Sequence, residues 1–229
     1  MPRALLIFAR HPSPGRVKTR LSPFLSPQEA AQLYDCMVRD LVARTAALGV
    51  DRYLLYEEGE GAEAYFREVG SGLLLIPQQG VGLGERLANA FTTLFSRGYG
   101  TLAVVGTDSP DLPLPFIQQA YERLESGEAD VLLGPTEDGG YYLLALRGEE
   151  PELFREVPWS TEQVLEVTLQ RAAEAGLRCE LLPGWYDVDL PSDLTRPELA
   201  DPGHDACRTR NYLLSLGKAV HQTRGKSAE

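Results

Sequence analysis

The sequence predicts an α/β domain built on a mostly parallel sheet with helices on both sides. Three observations lead there. Short apolar runs alternate with stretches of helical character along the chain. One run, "TLAVVG", is apolar throughout, as a strand covered on both faces is. The chain has 229 residues, 43% of them apolar and 24% charged, which suits one sizeable core.

The elements follow in order. "ALLIFA" reads as the first strand. Residues 27–48 read as a helix, with Ser26 as N-cap, Pro27 in the first turn and Glu29 completing a capping box. "RYLLYE" is the second strand, with a short helix near residues 62–68, and "GLLLIPQ" is the third. "GERLANAFTTLFSRG" forms a helix closed by Gly98. "TLAVVG" is the fourth strand, followed by a helix over about residues 115–125. "ADVLLGP" and "GYYLLAL" are the fifth and sixth strands. Ser160 and Gln163 have the spacing of a second capping box, opening a helix at Trp159-Ser160 that runs to about Ala175. "LRCELLP" is a last strand, and "DVDLPSDL" leads into a short helix. No linker or repeat divides residues 1–200, expected to be one domain. Residues 201–229 are expected to be a tail, with an appended helix in "RNYLLSLGKAVHQ" and disorder over the last five residues or so.

Composition narrows the function. The net charge is −11. Residues 1–20 nevertheless carry Arg3, Arg10, Arg16, Lys18 and Arg20 with no acidic residue, +5 against −16 for the remainder. The acidity excludes general nucleic-acid binding, which needs a cationic face. A cationic loop on an acidic body suits a small anionic ligand. No apolar run is long enough for a transmembrane helix, and the first residues lack the layout of a signal peptide. Cys36, Cys179 and Cys207 lie far apart without a CxxC. They read as free, buried thiols in a cytoplasmic protein.

Ligands of open α/β sheets sit beyond the carboxyl ends of the strands, and here those ends are rich in Gly, Asp and cations. "PSPGRVKTRLSP" follows the first strand. It is not a Walker loop, because Val17 stands where glycine must precede the lysine. Gly15, Lys18 and Arg20 still suit a diphosphate clamp, a point charge beside a guanidinium fork. "VVGTDSPDL" delivers Asp108 and Asp111 from a buried strand. Hard divalent cations take carboxylate oxygens, and Asp108 is nearer the strand end; both residues equally suit turn capping. In "YDVDLPSDL", Asp187 and Asp189 face opposite ways if extended. Asp189 is favoured as a ligand, while Asp193 falls in the first turn of the helix. "QQGVGLGERL" departs from GxGxxG at Glu85, and its Arg86 calls for a carboxylate or ligand partner. "GPTEDGGYYLL" offers Asp138 as a hydrogen-bond partner or base, and is equally the pattern of a plain hairpin turn. No GxSxG elbow occurs, and the three histidines are His11, His204 and His221, so histidine-based zinc sites and Ser-His-Asp triads are poorly supported.

Taken together, "FARHPSPGRVKTRLSP", "GLGERL", "GTDSPDLP", "GPTEDGGYYLL", "PWST" and "DVDLPSDL" resemble, in the same order, the nucleotide-diphospho-sugar transferases of the glycosyltransferase-A fold. That family includes arsenosugar-biosynthesis glycosyltransferases. The resemblance covers about residues 4–195. "PGRVKTRL" is also similar to the loop of nucleotidyltransferases that make guanylylated phospholactate or molybdopterin nucleotides, without their several glycines. The resemblance implies Mg²⁺ or Mn²⁺ held at Asp108 and Asp189. It implies a nucleotide across the first and third strand ends, at Ala9, Pro14, Gly15, Lys18 and Arg20. Gln79, Gly84, Arg86 and Thr107 complete that side. A small acceptor would lie near Asp138, Gly139, Gly140, Tyr141 and Trp159, whose ring either stacks on a sugar or packs. The expected reaction is glycosyl transfer from a nucleotide-sugar, with Lys18 and Arg20 stabilising the leaving group and Asp138 as base. The alternative is nucleotidyl transfer from a nucleoside triphosphate with release of pyrophosphate. A binding module that has lost catalysis is the third reading.

Overall fold

A computed structural model describes residues 2–203 and 205–217. A seven-stranded sheet forms the centre, in the order β3-β2-β1-β4-β6-β5-β7. The strands are β1 (Arg3–Ala9), β2 (Asp51–Tyr56), β3 (Leu73–Pro77), β4 (Thr101–Val105), β5 (Val131–Pro135), β6 (Tyr141–Leu146) and β7 (Cys179–Leu181). All neighbours are parallel except β6, which runs antiparallel to both β4 and β5. That reversal brings the start of β6 to the edge where the parallel strands end.

The helices are α1 (Pro27–Thr45), α2 (Ala62–Val69), α3 (Gly82–Phe95), α4 (Leu114–Glu125), α5 (Val164–Glu174), α6 (Pro197–Ala200) and α7 (Cys207–Ser215). Alternating residues of the strands feed two separate cores. Leu5, Ile7, Leu54, Ala103 and Val105 pack with Val38 and Leu41 of α1, Phe66 of α2 and Ile117 of α4. Leu6, Leu55, Leu102, Val104 and Leu144 face the other way, onto Leu87 and Phe91 of α3 and Ala172 of α5. β4 lies between β1 and β6 with every residue buried, as its uniform apolarity demands. A third cluster joins Leu21 and Leu25 to Leu33 and Met37 of α1 and to Val188, Leu194 and Leu213.

Helix starts show where local chemistry decides. At Ser26 the capping box is complete: the hydroxyl accepts from Glu29 N at 3.2 Å, and the Glu29 carboxylate accepts from Ser26 N at 2.7 Å. The second predicted box does not form. Ser160 lies at φ 66°, and α5 begins only at Val164 with no side-chain cap, so Trp159 precedes the helix by a turn. The Thr161 hydroxyl donates instead to the Pro158 carbonyl at 2.7 Å and accepts from Gln163 N at 3.3 Å. A local Ser/Thr turn has displaced the cap.

A helix, α7, spans Cys207–Ser215 and docks on α1; it overlaps the first part of the helix expected in "RNYLLSLGKAVHQ", whose residues from 218 on lie outside the described residues. The buried Asp40 carboxylate accepts from the backbone N–H groups of Arg208 and Thr209, at 3.1 and 2.7 Å, capping its first turn. The expected disorder of the last residues lies outside the described residues. Among the described residues, no helix is long and apolar enough to cross a membrane. The cysteines are free, but only Cys36 and Cys179 are partly buried, and burial pushes both thiols up to about 11. Cys207 is exposed, contrary to the expectation of a buried residue, because it opens the surface helix α7.

Candidate active site

The cationic loop is anchored at both ends by apolar side chains that bury in different cores. Val17 packs into the cluster under α1, and Leu21 into the third cluster. The chain turns between them, and Lys18 takes the left-handed conformation, φ 49° and ψ 38°. For a residue with a Cβ that conformation is costly and is sustained by surrounding structure. Gly15 also lies in the left-handed region, at φ 74°, with nothing within 4 Å of where a Cβ would stand. It opens the loop toward solvent.

The turn aims Lys18 inward. Its side chain is only 3% exposed, and Nζ donates to Asp108 Oδ1 and, at 2.7 Å, to Asp189 Oδ1. Arg20, far more exposed, approaches Asp189 Oδ2 at 3.8 Å. Burial pulls the Lys18 ammonium down, but the charges of Asp108 and Asp189 outweigh it and hold its pKa above the usual lysine value. Asp108 and Asp189 are held in register by the backbone: Val188 N donates to the Asp108 carbonyl at 2.9 Å. Asp193 fixes the second loop, accepting from Asp189 N at 2.9 Å and Leu190 N at 2.7 Å. It is a capping residue, as its first-turn position suggests.

The remaining aspartates have other partners. Asp187 Oδ1 accepts from the Ser109 hydroxyl at 2.9 Å; burial, reinforced by the Asp108 charge, pushes it up to about 7. Asp111 is buried and accepts from Tyr186 Oη at 2.6 Å and Trp185 Nε1 at 3.3 Å. It holds the aromatic pair.

The other expected site residues are placed as follows. The Ala9 carbonyl accepts from Glu57 N at 3.3 Å, and the Thr107 hydroxyl sits 2.8 Å from Tyr34 Oη. Tyr34 also accepts from Arg10 N at 3.0 Å, tying the ends of β1 and β4 together. Nothing in the helical spacing of α1 sets this tyrosine apart from its core neighbours, so the sequence carries no signal for it. Pro14 lies in the loop just before Gly15. Arg86 has the carboxylate partner anticipated for it, Glu57 at 3.4 Å, and also reaches Gln78. Gln79 and Arg86 line a cleft of about 310 Å³ between β2, β3 and α3. Gly84 is glycine for packing: a Cβ there would stand 2.7 Å from Trp159 Nε1 and 2.9 Å from the Phe154 carbonyl.

Asp138, Gly139 and Gly140 form the tip of the β5–β6 hairpin. Asp138 Oδ1 accepts from the Thr136 hydroxyl at 2.6 Å and from Gly140 N at 3.1 Å. Gly139, at φ 84°, lies against the Glu162 backbone, which a Cβ would approach to 2.1 Å. Glu137 turns outward into a two-point pairing with Arg196, at 3.1 and 2.5 Å. Tyr141 and Trp159 pack edge to face, 6.5 Å between ring centroids, against the core beneath α3 and α5. Trp159 is therefore engaged in packing. The structure brings Lys18, Arg20, Asp108 and Asp189 to one point, and the buried Asp187 lies within electrostatic reach of Asp108, Lys18 and Asp138.

The metal question turns on the donor set. Two carboxylate oxygens converge on a single cationic centre, the Lys18 ammonium, and are the hard donors that Mg²⁺ or Mn²⁺ takes. Among the described residues no group of three or more His, Cys, Asp or Glu is placed to hold an ion. The pair therefore fits a cation whose remaining positions are filled by phosphate oxygens and water.

Comparison with known proteins gives the family and the fold. The family model described as "Uncharacterized protein conserved in bacteria (DUF2064)" matches residues 40–161, more than half of the chain. A 2-phospho-L-lactate guanylyltransferase of Methanothermobacter thermautotrophicus is 30% identical over 217 residues, covering 91% of this chain and 89% of that protein. The crystal structure of a candidate nucleotide-diphospho-sugar transferase from Desulfovibrio desulfuricans G20 superposes with a TM-score of 0.82 at 30% identity. That match covers 94% of this chain and 98% of the other. CMP:2-keto-3-deoxy-manno-octonic acid synthetase complexed with CTP shares the fold alone, at 12% identity and a TM-score of 0.56, covering 95% and 100% of the two chains. The chain belongs to the DUF2064 family and is a transferase with the fold of the nucleotide-diphospho-sugar transferases.

Proposed function

We propose that the protein is a metal-dependent transferase that uses a nucleotide-activated donor, with nucleotidyl transfer from a nucleoside triphosphate to a small phosphorylated acceptor as its reaction. The observation that carries this reading is the convergence of Lys18, Arg20, Asp108 and Asp189 at the carboxyl ends of β1 and β4. The guanylyltransferase relatives give it its direction. Glycosyl transfer from a nucleotide-sugar is the second reading, supported by the shared motifs and by the similarity to the Desulfovibrio protein.

In either reaction the bond that breaks leaves negative charge on a phosphate. Lys18 and Arg20 are the cations at hand to stabilise it, Lys18 as a point charge and Arg20 as an exposed fork. Asp108 and Asp189 would hold the divalent ion, which supplies charge neutralisation on the phosphate oxygens. Arg86, Gln79 and the cleft beside them suit the nucleoside. Asp138, at the exposed hairpin tip and positioned by its own turn, is the base of the second reading, where it takes the proton of an acceptor hydroxyl; a phosphate acceptor in the first needs none.

A screen of triphosphates and nucleotide-sugars by thermal shift, with and without Mn²⁺, tests it in the wild type and in Asp108→Ala. Stabilisation by one nucleotide class that needs Mn²⁺ and vanishes in the variant is expected. A ligand present at 100 times its Kd adds about 2.7 kcal/mol. Wild-type-like stabilisation of the variant would remove Asp108 from the metal site. Pyrophosphate among the products identifies nucleotidyl transfer, and a nucleoside diphosphate identifies glycosyl transfer.

A further inference from the structure

Resting on the site just proposed, we propose that Lys18 is a resident counter-cation that blocks metal binding until a nucleotide displaces it. The Lys18 ammonium and the divalent ion occupy the Asp108–Asp189 pair alternately, and the polyphosphate is what exchanges one for the other.

Four observations support this. The ammonium uses the same two oxygens, Asp108 Oδ1 and Asp189 Oδ1, that face each other across the site. A Mg²⁺ ion binds oxygen at about 2.1 Å, so it cannot share that point with an ammonium at hydrogen-bond distance. The side chain is 3% exposed, whereas the Asp108 and Asp189 side chains are 45% and 35% exposed. The carboxylates are thus reachable from outside while the lysine lies beneath them. Lys18 sits at φ 49°, in a loop whose neighbour Gly15 has open space around it. Its four-carbon stem can carry Nζ outward with little backbone change. Finally, no third carboxylate joins the pair among the described residues, so the metal depends on phosphate oxygens to complete its shell.

The exchange has to be coupled. Withdrawing Lys18 alone would leave Asp108 without its cation and Asp189 with only the more distant Arg20, which is costly in a partly buried site. Delivering a metal alone would crowd two cations together. A polyphosphate resolves both: it receives the ammonium in a charge-assisted contact and brings oxygens to the metal. Nucleotide and metal therefore strengthen each other's binding, and the linkage is reciprocal.

The test uses Mn²⁺ alone, followed by the paramagnetic resonance of free Mn²⁺, on the full chain. Lys18→Gly and Lys18→Asn both remove the ammonium and both suit the left-handed backbone, so one reports if the other fails to fold. Without nucleotide, each is expected to bind Mn²⁺ at least tenfold more tightly than the wild type. Asp108→Asn added to either is expected to abolish that gain. In the wild type, GTP is expected to tighten protein-bound Mn²⁺ at least tenfold, read as a water-proton relaxation change beyond that of Mn²⁺–GTP alone. If the lysine variants bind Mn²⁺ no better than the wild type, while GTP still recruits Mn²⁺ in an Asp108-dependent way, the displacement idea is wrong and the metal site stands. If no form binds Mn²⁺ with or without GTP, both are wrong.

Discussion

Single residues in this protein divide into those that shape the site and those that would act in it. Gly139 belongs to the first kind. Its φ of 84° and the Glu162 backbone beside it leave no room for a Cβ, which would come within 2.1 Å of the carbonyl oxygen. Gly139→Ala is expected to destabilise the fold by about 2 kcal/mol or more, measured as a fall in the denaturant midpoint. Gly15→Ala meets no neighbour and is expected to cost about 1 kcal/mol, from backbone conformation alone. An equal loss at both positions would show that the contact with Glu162 carries no weight. The paired glycines of "EDGG" were thus legible as demanding an unusual backbone. Their structural reason, contact with a segment more than twenty residues away, was not. The same holds for Gly84, whose place in a motif hid its role as the floor for Trp159.

At the scale of elements, the capping signals had uneven success for a physical reason. Ser26 precedes a helix whose apolar face locks onto the sheet at once, and its box forms. Ser160 sits where Thr161 makes a competing turn with the Pro158 carbonyl, and the helix waits for Val164. The strands were readable throughout, because each is an apolar run bounded by turn residues. The docking of α7 was not, since its recognition by Asp40 joins positions 168 and 169 residues apart. Asp40→Ala leaves two N–H groups of α7 without their acceptor, at a cost of about 1–3 kcal/mol. Limited proteolysis is expected to cut near residue 206 in this variant well before the wild type. Equal cutting rates would show that apolar contacts alone hold the helix.

For the whole molecule, the two edges of the sheet do different work. The carboxyl edge gathers the site, and the amino edge is fastened by Asp130. Its carboxylate pairs with Arg178 beside β7, at 3.0 Å, and with Arg147 beyond β6. Hydrogen bonds from Arg178, opposed by burial and aided by Arg147, hold the Asp130 carboxyl well below the usual carboxylate range. A depressed folded-state pKa gives stability that is full above the unfolded value, about 3.9, and is lost as pH falls further. The wild type is therefore expected to lose melting temperature more steeply than Asp130→Asn between pH 5 and about 2. Parallel curves would assign no role to the pairing.

The cationic loop on an acidic body foretold an anionic ligand, and the sequence already singled out Lys18, Asp108 and Asp189. What it did not reveal is that the three contact each other, because the contact depends on the twist imposed by Val17 and Leu21. The reversed strand β6 has a consequence of another kind, for how such a chain diversifies. Its hairpin with β5 ends at Glu137 and Asp138, both exposed, beyond a register shift at Gly134/Pro135 in the β5–β6 ladder. Residues inserted at Glu137, the outward side of that tip, extend into solvent above the carboxyl edge, whereas Gly139, held against Glu162, limits the inner side. An insertion after β1 would pull Val17 or Leu21 from its core. Descendants of this fold are thus free to remodel the outward side of the β5–β6 hairpin by changing the length of a single turn, while the cationic loop stays tied to the stability of the domain.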